Sequence, residues 1–147
     1  MLSDLAYLQS AVNRGQTVYI VIQPPDVSEA SNRFAFAASL LVAERGRTYF
    51  HFGGDYSKYY AIPDYEYSLG NPVGLLSCEN SVCTRQFEHG LVTVDFASRK
   101  GTITLGAVVP PTMTVTRTPT MIPTATPTIT STPICVLVFP NRAELCK

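Results

Sequence analysis

Charge is scarce in this chain, and what there is cancels. Charged residues make up 15% of the 147, and eleven lysines and arginines offset eleven aspartates and glutamates to a formal net charge of +0. That balance leaves no electrostatic footprint for DNA, RNA or an anionic membrane, so no nucleic-acid partner is expected. Long apolar runs are missing as well, since no window reaches the roughly 18 apolar residues that a membrane helix needs. The segment 1–15 sets Asp4 and Arg14 around a broken apolar pattern and lacks the hydrophobic region and small-residue cleavage site of an export signal. Metal-ligand spacing is also lacking. The four cysteines fall as C-x4-C (Cys78, Cys83) and C-x10-C (Cys135, Cys146), and neither His51 nor His89 completes a recognised zinc pattern. No metal and no cofactor are expected. Each pair can close a small disulfide loop in an oxidising compartment, with free thiols as the competing reading.

What is present begins with helix–strand alternation. Leu2, Leu5, Tyr7, Leu8, Ala11 and Val12 recur at three- and four-residue intervals between Ser3, a candidate N-cap, and Gly15, a stop. Thr17–Ile22 (T-V-Y-I-V-I) is a continuous β-branched and aromatic run, the habit of a parallel strand buried on both faces, and Pro24-Pro25 ends it. A second helix is predicted from Ser28 to about Arg45, capped by Gly46, with small Ala and Ser positions that permit close approach to a sheet. Thr48–Phe52 is a second short strand, and parallel pairing through the intervening helix is the expected geometry. An aromatic loop, 56–67, holds most of the eight tyrosines. From Leu75 to Leu105 the period becomes two, with turns at Gly90 and Lys100-Gly101, so antiparallel strands are predicted.

The 69–105 stretch carries a further signal. Leu69, Gly70, Pro72 and Gly74, followed by Arg85, Phe87, Glu88, Gly90, Leu91, Val92 and Val94, read as L-G-x-P-x-G and then R-x-F-E-x-G-L-V-x-V. This resembles the C-terminal end of a family of glycoside hydrolases built on a (β/α)8 barrel; where that family continues with Asn-Pro or Asn-Ser, this chain has Asp95-Phe96. The resemblance implies an α/β fold consisting of the last two strand–helix units of such a barrel (1–68), an antiparallel β appendage (69–106) and a disordered Thr/Pro tail. A barrel needs eight strands and roughly 250 residues, so six strands and an export signal are expected upstream of Met1.

Residues 107–133 are rich in Thr and Pro and cannot form a core, because proline removes donors and little apolar surface is available. An extended spacer is expected, of the kind that tethers modules outside the cell, which places the protein extracellularly or at the cell surface. Residues 134–147 regain apolar character and are expected to begin another, truncated module.

Barrel enzymes place chemistry in the loops after their strands. Under the resemblance the candidate catalytic carboxylates are Asp26, Glu29 and Asp55, because glycoside hydrolysis uses one carboxyl as acid and a second as base or nucleophile. Gln23, Tyr56, Tyr59 and Tyr60 are the candidate carbohydrate-binding residues. Asp26 before Ser28-Glu29 equally suits helix capping, and Arg85 and Glu88 suit bracing of the hairpin. The implied function is the C-terminal part of a secreted glycoside hydrolase, inactive alone; the alternative is a non-catalytic glycan-binding or structural module on a Thr/Pro tether.

Overall fold

The computed structural model describes residues 2–106, 134–139 and 143–146, so the expectation for the Thr/Pro segment lies outside the described residues. The chain runs α1 (Leu2–Asn13), β1 (Thr17–Ile22), α2 (Glu29–Leu40), β2 (Thr48–Phe52), a 3-10 turn (Pro63–Glu66), β3 (Ser77–Glu79), β4 (Val82–Phe87), β5 (Gly90–Asp95), β6 (Lys100–Leu105), β7 (Ile134–Phe139) and β8 (Ala143–Cys146). Gly15 ends the first helical segment at φ +80°, a conformation that suits glycine. Ser28 caps α2, its side-chain oxygen accepting from the Ser31 amide.

Two sheets form. In the first, β1 pairs parallel with β2, from Val18 opposite Thr48 to Ile22 opposite Phe52, with α2 as the crossover. β1 also pairs parallel with β7 on its other edge, and β8 returns antiparallel, giving the order β2-β1-β7-β8. The second sheet is an antiparallel meander, β3-β4-β5-β6. Its inner face alternates as the period of two predicts: Cys83, Phe87, Val92 and Val94 are buried.

One continuous core joins α1, β1 and α2 to the meander. A close approach comes at Gly101, where an added Cβ would lie 2.7 Å from the Ala37 Cβ and 2.9 Å from the Arg33 carbonyl oxygen. Gly101 is therefore the place where β6 lies against the α2 backbone, and the turn expected there falls earlier, with Arg99 at φ +54°.

The expected fold class is overturned: the chain does not form the last two strand–helix units of a (β/α)8 barrel with an appendage. Two helices pack with a small parallel pair and a four-stranded antiparallel sheet. The error lies in the strand reading. Val18 and Ile20 are buried against the helices, but Tyr19 and Tyr49, side by side in register on the opposite face, are 38% and 47% exposed. The run is thus covered on one face only. The residues expected to begin a separate module supply β7 and β8, which extend that sheet.

Candidate functional site

Because β1 and β2 run in the same direction, the loops that follow them emerge at one end of their sheet. The amide of Gly53 donates to the Ile22 carbonyl (2.8 Å) and ties the two strand ends together. This end holds every candidate catalytic and sugar-binding residue named from the sequence.

The carboxylates there are engaged in local structure. Asp26 accepts from the Ser28 amide (3.0 Å) and hydroxyl (2.5 Å), which hold its carboxyl below its ordinary pKa, so it sets up the helix cap. Glu29 pairs with Arg33 at 2.7 Å on the exposed side of α2. Asp55 accepts from the Ser57 hydroxyl (2.6 Å) and amide (2.9 Å) and is likewise lowered. Asp26 and Asp55 are therefore held ionised. That state suits a base or an anchor, whereas a general acid needs a raised pKa.

The tyrosine loop is docked on α2 by a buried polar network. The Asn32 side-chain amide donates to the Tyr60 carbonyl and its oxygen accepts from the Tyr65 hydroxyl, both at 2.6 Å. Arg33 Nε donates to the buried Asp64 at 2.6 Å. Burial pushes the Tyr65 pKa up. Tyr60 turns inward, its ring against Gly53, where φ is +113° and an added Cβ would lie 2.6 Å from the ring. Tyr59 and Tyr56 turn outward, 80% and 69% exposed. Tyr56 stacks on His51 at 4.8 Å between centroids, and Tyr19 stacks on Tyr49 at 4.9 Å. His51 and Tyr49 are two residues apart on β2, so both pairs rise from the uncovered face of the parallel sheet.

The residues that carry the family resemblance have structural partners. Glu88 accepts from the backbone (2.7 Å) and side chain (3.1 Å) of Asn71, which lowers its pKa. Gly70 (φ +74°) leaves room for that carboxylate, and Gly90 packs beneath Leu69 and Thr104. Arg85 is buried and donates to the carbonyls of Leu41 (2.9 Å) and Ala43 (3.0 Å) and to Glu44 (2.8 Å), capping the end of α2. Cys78 and Cys83 face each other across β3 and β4 and form a disulfide, with Cα atoms 4.1 Å apart. Cys135 and Cys146 occupy opposed positions in the register of β7 and β8.

One feature of this end was not foreseen. A cavity of about 370 Å³ opens between α1, the end of β1, α2 and the β5–β6 turn. Gln23 lines it, as do Phe34, Phe96 and Arg99. Its components lie up to 95 positions apart in sequence, from Asp4 to Arg99, so no local pattern announces it. Among the described residues no group of three or more His, Cys, Asp or Glu side chains is placed to hold a metal. No helix among them is long and apolar enough to cross a membrane. No protein-family model matches the chain, and no curated protein matches it in sequence. The likeness to barrel hydrolases rests on the Leu69–Val94 residues alone.

Proposed function

We propose that the chain is a non-catalytic carbohydrate-binding module of an extracellular or cell-surface protein. The observation that carries this reading is the pair of aromatic stacks, Tyr19–Tyr49 and His51–Tyr56, on the uncovered face of the parallel sheet. With Tyr49 47% and Tyr56 69% exposed, the two tyrosines offer flat apolar surface edged by hydroxyls, which suits the alternating C–H and O–H faces of a sugar. Exposed Tyr59 lies on the same loop, and the ionised Asp55, next to Tyr56 in the chain, is a hydrogen-bond acceptor for sugar hydroxyls. The Cys78–Cys83 disulfide supports an oxidising compartment. Hydrolysis has less support, because two of the three candidate carboxylates are held ionised and a glycosidase needs one protonated acid.

The test is a glycan array probed with the intact chain, followed by calorimetric titration of the best ligand. Stacking contacts contribute about 1 kcal/mol each beyond area burial. Replacing both Tyr49 and Tyr56 by Ala is therefore expected to weaken binding by at least about tenfold. Binding to no glycan, or undiminished affinity in the double variant, would overturn the reading.

A further inference from the structure

The cavity beside β1 has the composition of a ligand site of another kind. Its walls come from separate layers: Leu5 and Leu8 from α1, Ile20 and Ile22 from β1, Phe34 from α2, and Phe96 from the β5–β6 turn. Those walls are apolar, so sugars are poor occupants. At about 370 Å³ it falls within the size range in which proteins enclose small molecules.

Several features hold it open. Pro24 and Pro25 fix the chain as it leaves β1. Ala35 and Ala38 keep the α2 wall low. The turn that carries Phe96 and Arg99 is pinned by Asp95, which accepts from the amides of Ala97 (2.9 Å) and Ser98 (3.3 Å) and from the hydroxyls of Ser98 (2.6 Å) and Ser81 (3.2 Å). An apolar site shaped in advance avoids the ordering cost that a collapsing groove imposes on its ligand.

The rim supplies polarity at the solvent-facing end. Arg99 is exposed, and its guanidinium lies 5.8 Å from the centre of the Phe34 ring, a cavity wall. Gln23 and Ser31 add neutral donors. Two acids lie nearby. The Asp26 carboxylate is hydrogen-bonded by Ser28 and also feels the Arg99 charge, and Asp4 is the one carboxylate among the lining residues, on the α1 wall.

We infer that this cavity binds an amphiphile with an apolar chain and an anionic head, the chain between α1, β1 and α2 and a carboxylate against Arg99. The site is independent of the tyrosine surface, and sugar binding there neither supports nor opposes it.

Decanoate, 1-decanol and decylammonium, titrated into the intact chain by calorimetry below their micelle concentrations, separate head-group charge from chain burial. Decanoate is expected to bind one per chain and at least tenfold more tightly than decanol, with decylammonium weakest. The Arg99→Gln variant should bring decanoate to the level of decanol. Ala38→Leu, which fills the cavity, should remove binding of both. Equal affinity for all three amphiphiles, or decanoate binding that persists unchanged in Arg99→Gln, would overturn the inference. If the leucine variant does not fold, the Arg99→Gln comparison decides alone.

Discussion

At Arg85 a single side chain does the work of a helix cap from another layer of the molecule. Its guanidinium reaches from β4 to two carbonyls and one carboxylate at the end of α2, from a position 5% exposed. Arg85→Met would leave the Leu41 and Ala43 carbonyls buried without that donor, and a stability loss of about 2 kcal/mol is expected in urea unfolding. Lysine should restore little, because an ammonium cannot span the same fork of acceptors. Glu88 makes a second test, this time through pH. Its folded pKa is lowered by the Asn71 hydrogen bonds, so the stability it contributes is present above its unfolded pKa and disappears as pH falls through the folded value. Thermal melts from about pH 7 down to about pH 3 should therefore fall more steeply for the native chain than for Glu88→Gln. A parallel fall in both would show that the Asn71 contact does not stabilise the fold. The bracing role of Glu88 was legible in the sequence, since it falls outside the strand-end loops. The reach of Arg85 past its own hairpin to the end of α2 was not, because nothing local in β4 announces Leu41, Ala43 and Glu44. Nor was the role of Gly101, because a glycine at a turn and a glycine against a helix read alike.

Among the elements, local pattern was the better guide. The period of 3.6 placed α1 and α2, the β-branched runs placed β1 and β2, and the switch to a period of two placed the meander. The C-x4-C spacing matched the β3–β4 hairpin, whose turn is made by Asn80 at φ +54°. A bridge that closes so short a loop restricts the unfolded chain modestly. The Cys78→Ser, Cys83→Ser double variant is expected to lose about 2 kcal/mol by thermal or urea unfolding while keeping the meander's circular-dichroism signature. A variant as stable as the parent would show that the hairpin is held by its strand pairing alone. What pattern could not reveal is how many faces of a strand are covered. Thr17–Ile22 has β-branched or aromatic side chains at every position, so it looks the same with one face buried or two. The exposed pair Tyr19 and Tyr49 makes the distinction, and the candidate sugar surface exists because of it.

The whole molecule depends on contacts that sequence proximity does not encode. The cavity gathers residues from α1 to the β5–β6 turn, and β7 crosses from beyond the Thr/Pro segment to lie along β1, from Thr17 opposite Ile134 to Ile22 opposite Phe139. That pairing supplies the second ladder of a strand that is apolar along its length. Without it, β1 would present an open edge with no charge and no proline between Thr17 and Ile22, the type of edge that pairs with other chains. Removing residues 107–147 is therefore expected to lower the melting temperature and to produce concentration-dependent self-association, detectable by light scattering and sedimentation. Removing only the Thr/Pro residues 112–131, which retains β7 and β8, should act differently. Loop closure depends weakly on length, so a shortened connection changes stability by under about 1 kcal/mol provided it still spans the distance. If truncation after Gly106 leaves a monomer as stable as the full chain, β7 is not needed to complete the sheet. The fold would then be carried by α1, β1, α2, β2 and the meander alone.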